Sequence, residues 1–489
     1  MTSIPLLSLI IFVPLIGALM VLVTNNDKQA KVVALTASGI SFLLSLVLYA
    51  QFDVSSNVFQ FVEHFSWVKF VGISYKLGVD GINLPFIMLT TFLTMLTVIY
   101  SWDIVHRYKE YFFFLLLAGV GVLGVFSALD MILFFIFWEV VLIPMYFLIG
   151  IWGGDNCRYA AIKFFIYTHL GSVLMLIVMV VMSFSAAQLL GEYTFDMEKL
   201  TGVSYLHTFQ IITFAVLFFA FCIKMSLVPV HTWLPDAHVQ APTAGSVLLA
   251  GVLLKMGGYG LIRIAMMMLP QGMTALIPVM YLVAIISILY AAFVALAQDD
   301  LKRMIAYSSI SHMGFVLLGL ATLNQQGING AIFQMVGHGL IAAILFMICG
   351  AIQHGTKTRN ISQLGGLAYK TPIAMSILAL GSFASFGLPG FVGFVGEFTI
   401  LVGVWQTLKT LAVLALLGMV ITVGYYIWAF QRIAFGDFNN NLDKVQEVKW
   451  YELLPMTGLL IFIIFFGLYP NPLFAIIESG VANILKVFS

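Results

Sequence analysis

Residues 223–263 read IKMSLVPVHTWLPDAHVQAPTAGSVLLAGVLLKMGGYGLIR. Two lysines, Lys224 and Lys255, stand here in apolar surroundings. The run 246–264 has the length to cross a bilayer, which takes about 20 mostly apolar residues. Pro229, five residues after Lys224, removes a backbone hydrogen bond and predicts a broken helix. Broken helices expose carbonyls and half-helix ends at membrane depth, a pattern of transporter ion sites. This stretch predicts a membrane bundle with titratable groups inside it.

Composition extends that reading to the whole chain. Of 489 residues, 62% are hydrophobic and 9% charged, against about a quarter charged in a soluble domain. A soluble enzyme, a disordered chain and a nucleic-acid-binding domain are excluded. The fold class is an all-α polytopic membrane protein. Fourteen apolar spans are expected at 4–23, 31–51, 79–101, 111–129, 131–152, 160–188, 208–230, 243–268, 272–297, 303–322, 327–352, 372–403, 410–434 and 452–474. Strand-type alternation is absent, which argues against a β-barrel. Residues 52–77 read as a polar loop, 436–451 as the most charged loop, and 475–488 as an apolar tail along the interface. The first run starts at Ile4 with no Lys or Arg before it. That predicts a retained helix and not a secretory signal.

The 22 Lys+Arg and 21 Asp+Glu nearly cancel, so their positions carry the information. Alternate loops and their edges hold Lys28, Lys31, Arg107, Lys109, Arg158, Lys163, Lys302, Arg303, Lys357, Arg359, Lys370, Arg432, Lys444 and Lys449 on one face. Lys69, Lys76, Lys199, Arg263, Lys409 and Lys486 fall on the other. The positive-inside rule puts the richer face in the cytoplasm or matrix and both termini on the opposite, periplasmic side.

Lys224 and Lys255 are left over, inside spans. Two carboxylates join them: Glu139 in FFIFWEVVLIPMYFLIGIWGG (134–154) and Glu397 in SFASFGLPGFVGFVGEFTIL (382–401). Each such charge costs about 2.5–3.5 kcal/mol at the centre of a membrane helix. A structural salt bridge is one reading. Four charges on four helices fit a proton or cation path better. Lysine suits that task, because desolvation disfavours its charged form and a nearby carboxylate favours it. His231 and His238 line a cytoplasmic entrance or are ordinary loop histidines. His312 and His338 are candidate proton relays, since imidazole titrates near neutral pH. His169 has the same choice between relay and packing.

Gly387, Pro389 and Gly390 predict a second broken helix. Two breaks, one per half, suggest an internal repeat. A shift of about 169 residues lays Asp130 on Asp299, Gly150 on Gly319 and His169 on His338. The expected division is 1–102 for three N-terminal helices, 103–268 and 269–435 for two five-helix repeats, and 436–489 for the last helix and tail. The GxGxxG of Gly119, Gly121 and Gly124 has no strand before it and reads as helix packing. Cys157, Cys222 and Cys349 have no metal or redox spacing.

These segments, with DDLKRMIAYSSISHMGFVLLG (299–319), resemble the antiporter-like proton-translocating subunits of respiratory complex I, the NADH–quinone oxidoreductase. They are most similar to the subunit M (chain 4) family. The HTWLPDAHVQAPTAGS stretch (231–246) is also found in multisubunit sodium/proton antiporters and membrane-bound hydrogenases. The WE…LIPMY segment around Glu139 resembles subunit M. So does a glutamate at 397, where the sister subunits L and N typically carry lysine. The long lateral helix of subunit L is lacking. The resemblance implies that the two repeats are inverted. It implies that Glu139 pairs with Lys224, Lys255 is the central relay, and Glu397 serves the exit toward the periplasm. His312 and His338 match family histidines. It implies no cofactor or metal in this chain, with flavin, iron–sulfur clusters and quinone in partner subunits. The implied partners are L- and N-type neighbours in a bacterial inner membrane, with the mitochondrial inner membrane as alternative. A cation/proton antiporter subunit and a non-pumping scaffold are the competing functions.

Overall fold

A computed structural model describes residues 5–439, 442 and 445–488. Ile4 and Lys444 lie outside the described residues. The chain is built from helices: α1 Leu6–Leu22, α2 Asp27–Gln51, α3 Leu84–Tyr100, α4 Tyr108–Ser127, α5 Met131–Trp152, α6 Cys157–Leu190, a short α7 Met197–Thr201, α8 His207–Met225 and α9 Trp233–Gln240. Then follow α10 Thr243–Met266, α11 Pro270–Leu296, α12 Leu301–Ala321, α13 Gln325–Thr356, α14 Pro372–Ser385, α15 Val392–Thr407, α16 Lys409–Ala434, α17 Trp450–Leu468 and α18 Asn471–Phe488. Eleven of the described helices are long and apolar enough to cross a membrane, and α1, α3, α14 and α15 are shorter apolar helices.

Caps set several boundaries. Asn26, Asp130, Asp300 and Asn324 each accept a backbone N–H of the first helical turn that follows, satisfying donors that have no intrahelical partner. Burial is graded. Helices α10, α12 and α13 are almost wholly enclosed, while α2, α6, α11 and α16 keep most of their span on the outside. The apolar exterior suits lipid, and the enclosed trio forms the axis on which the site is built.

Several expectations are corrected. Residues 52–77 are not only loop: β1 Gln60–Val68 and β2 Ile73–Val79 form an antiparallel hairpin with Phe65 opposite Tyr75. It turns at Gly72 (φ 71), where a side chain would collide with the Tyr193 carbonyl. The hairpin seats on the start of α5, with the Ser74 N–H donating to Asp130 at 2.9 Å. The span expected at 79–101 begins at Leu84, because Asp80 and Asn83 form a hydrogen-bonded turn first. The span expected at 208–230 ends at Met225, with Ser226 left-handed (φ 59), three residues ahead of Pro229. The span expected at 372–403 carries its expected break and is two helices, separated by Gly387 (φ 76) and Gly390 (φ 98). The tail is the amphipathic α18. Its Leu473, Ile477 and Val481 are buried, and Phe474 stacks on Phe333 of α13 at 4.7 Å.

The three glycines of the GxGxxG pack α4 closely. A side chain at Gly119 would meet Thr94, at Gly121 Val141, and at Gly124 the Phe137 ring.

Candidate functional site

Lys255 is fully buried in α10, between two π-helical turns, Leu249–Leu253 and Leu261–Met266. Such turns interrupt the α-helical ladder and occur often at functional sites. The Lys255 ammonium donates to the Ala250 carbonyl, and its Nζ lies 2.7 Å from His338 Nδ1. No carboxylate pairs with it among the described residues. Close packing holds it there: a side chain at Gly257 would meet Met225 and one at Gly258 would meet Met335.

His338, on α13, is 5.2 Å ring to ring from His312 on α12. His312 Nδ1 and Glu397 Oε1 are 2.7 Å apart, and His312 Nε2 lies 3.3 Å from Ser385 Oγ. Glu397 also accepts from Gln334 Nε2 at 3.2 Å. Four groups thus form one buried line: Lys255, His338, His312, Glu397. A lysine ammonium has no acceptor lone pair, so in the Lys255–His338 contact His338 must be neutral with Nδ1 accepting. A neutral His312 pairs with the Glu397 carboxylate only by donating from Nδ1.

The second helix break shapes the Glu397 end. The carboxylate lies 3.0 Å from where a side chain at Gly387 would begin. Gly387 is therefore required twice, for its positive φ and for this close approach.

The other two charges sit apart from that line. Lys224 is buried in the last turn of α8, where the free carbonyls of a helix end favour a cation. Its Nζ stands 4.8 Å from the centre of the Trp138 ring. The implied Glu139–Lys224 ion pair is not formed. Glu139 is within electrostatic reach of Lys224, but its close partner is His169 Nδ1 at 3.3 Å. The reason is helical phase. Trp138 points inward and donates from Nε1 to Ser172, and the next residue lies about 100° further round α5. Glu139 therefore faces outward, with a side chain 24% exposed against 47% for His169. Its second oxygen, Oε1, is buried without a hydrogen-bond partner.

The entrance histidines separate. His231 packs against the Tyr290 and Tyr307 rings at 5.4 and 6.4 Å. His238 is fully buried, stacks on Phe346 at 4.5 Å, and has no partner for either ring nitrogen.

Sequence reasoning missed five residues of this region. Gln334 precedes His338 by one helical turn, so their i,i+4 spacing was the available signal. Ser385 ends α14, two residues before Gly387 of the break. Trp138 is the residue before Glu139. Lys302, placed among the loop-edge cations, is buried. Arg263 was also placed at a loop edge. It is buried in an ion pair with Asp80 at 2.6 Å.

Residues 128–422 match the model of the NADH:quinone oxidoreductase/Mrp antiporter transmembrane family. The chain belongs to that family. Subunit M of the NADH-quinone oxidoreductase of Rhodobacter capsulatus is 42% identical, over 98% of this chain and 96% of the relative. Subunit M of the F420H2 dehydrogenase of Methanosarcina mazei is 40% identical, over 96% and 95%. Among solved structures, a chain of respiratory complex I from Thermus thermophilus superposes with a TM-score of 0.90 at 25% identity, covering 99% of this chain and 100% of that one. A chain of the Mrp complex from Dietzia shares the fold, with a TM-score of 0.88 at 21% identity over 99% and 98%.

Proposed function

We propose that this protein is the M-type proton-translocating membrane subunit of an NADH–quinone oxidoreductase. The single observation that carries the reading is the buried line Lys255–His338–His312–Glu397 in a member of this family. Each group can hold or release a proton, and each lies within a hydrogen bond or a ring contact of the next. A proton loaded on Lys255 passes through His338 and His312 to Glu397 and leaves on the periplasmic side. Entry is from the cytoplasmic side, near His231 and His238. The redox chemistry, with its flavin, iron–sulfur clusters and quinone, takes place in partner subunits.

Fourteen spans fit the helices. The eleven long ones are joined by α1, α3 and the broken pair α14/α15. An even number returns both termini to the periplasmic side. Two repeats, within 103–268 and 269–435, are supported by matching details. Asp130 caps α5 and forms a backbone β-bridge with Asp196, while Asp300, one residue beyond the Asp299 of the expected shift, caps α12 and forms one with Asn360. Each half also contains one broken helix.

The Glu139–His169 pair supports a neighbouring membrane subunit of L or N type. A partly exposed titratable pair facing lipid is costly, and a partner helix carrying a cation or hydrogen-bond donor would cover it. The membrane is a bacterial inner membrane.

The test is Lys255→Met in membranes with the complex assembled. Protons moved per NADH should fall. An undiminished count overturns the reading. A cation/proton antiporter subunit is the alternative, favoured by the Mrp-like fold. Purification without flavin or iron–sulfur partners would decide for it.

A further inference from the structure

Arg303 and Lys302 are neighbours in sequence with opposite fates. Arg303 reaches outward, to 3.5 Å from Asp236. Lys302 turns inward, and its side chain is buried. Its Nζ donates to the Ala241 carbonyl at 2.6 Å and meets no carboxylate among the described residues. An enclosed ammonium with one neutral acceptor is expensive unless it serves a purpose.

Lys302 lines a polar cavity of about 390 Å³ together with Tyr100, Asp103, Thr243, Gln353 and His354. Asp103 and Lys357 open it to the face rich in basic residues. Its volume holds several waters, at about 30 Å³ each. Three residues before Ala241, whose carbonyl seats Lys302, stands His238. His238 is enclosed, has no partner at either ring nitrogen, and is within electrostatic reach of both Lys302 and Lys255. The line from Lys255 to Glu397 therefore has a continuation outward: His238, then Lys302, then the cavity.

We propose that this cavity is the vestibule through which protons reach Lys255, and that Lys302 is its entry group. The proposal rests on the proton-translocating reading above and deepens it. Lys302 takes one proton from vestibule water as an ammonium. It passes one to a ring nitrogen of His238, and the neutral amine is reloaded from the vestibule. His238 hands its proton to Lys255, so each transfer leaves Lys302 and His238 as they began. The feed does not use Lys224.

The test uses the assembled complex in sealed vesicles and counts protons per NADH in Lys302→Arg, Lys302→Met and Lys255→Met. Arginine keeps the charge and a donor for the Ala241 carbonyl, but it does not release its proton. A relay at Lys302 therefore predicts that Lys302→Arg loses as many protons per NADH as Lys255→Met. A purely structural lysine predicts rescue by arginine, and a wild-type count in Lys302→Arg overturns the proposal while leaving the function intact if Lys255→Met is defective. If Lys255→Met also pumps normally, the functional reading falls with it. Lys302→Met removes the anchor as well as the proton. If it fails to assemble, Lys302→Arg remains the deciding variant. A second measurement checks the vestibule itself. A cysteine at Gln353 should react with a membrane-impermeant thiol reagent added to the basic face, and protection there overturns the vestibule.

Discussion

Two regions of the molecule treat their buried charges differently. In the inner line, which starts on α10 and runs through α12, α13 and α15, Lys255, His338, His312 and Glu397 are enclosed and follow one another in contact. In the outer cluster, Lys224 rests on an aromatic face while Glu139 and His169 look outward, partly exposed. Enclosure raises the energetic stake of every contact, since low dielectric strengthens a made bond and penalises an unmade one. The inner line is thus complete by itself. The outer cluster is incomplete by itself, and its charge balance is open to whatever packs against α5 and α6.

Substitutions can break or sharpen this contrast. The largest effect is expected from Glu397→Gln, which keeps the shape and one acceptor but removes the titratable group. Proton counting in sealed vesicles should show this subunit's share lost while NADH oxidation persists. Gln334→Leu comes next. It deletes a hydrogen bond to a charged partner, worth about 1.5–3 kcal/mol, and stopped-flow proton release should slow about tenfold or more. Trp138→Leu takes the ring from under Lys224, a contact of about 0.5–2 kcal/mol. Coupled turnover should fall by a few-fold, and Trp138→Phe should restore part of it. The smallest effect belongs to His169→Ala. The Glu139–His169 contact is long, at 3.3 Å, and both side chains are partly exposed, so it is a weak one and proton counts should stay within about a factor of two. If His169→Ala proves as damaging as Glu397→Gln, the contrast between enclosed line and open cluster is wrong.

Stability gives a separate check. Arg263→Leu strands the Asp80 carboxylate in the interior, at a cost of about 3–5 kcal/mol. Reduced assembly, read by native gel, should follow, and Asp80→Asn combined with Arg263→Leu should recover part of it.

Much of this was legible in the sequence because hydrophobicity and its interruptions are local properties. The spans, both helix breaks and the four intramembrane charges each show within about 20 residues. What stayed hidden depends on rotation and on distant partners. Nothing local to Glu139 says that its close partner is His169 and not Lys224; that follows from Trp138 occupying the inward phase of α5. Lys302 and Arg263 sit beside loops in sequence, and only the fold buries them. The hairpin escaped notice because its strands alternate weakly and seat on Asp130, more than 50 positions later.

The widened turn Leu249–Leu253 has one more consequence. A π-turn is in effect a single inserted residue: both flanking helical stretches keep the phase they would have without it. Removing Gly251 would restore an ordinary α-helix with Thr243 and Tyr259 still facing their present neighbours. It would also remove the displaced carbonyl of Ala250 as a seat for the Lys255 ammonium. The helix can thus gain or lose this seat for Lys255 through a one-codon insertion or deletion.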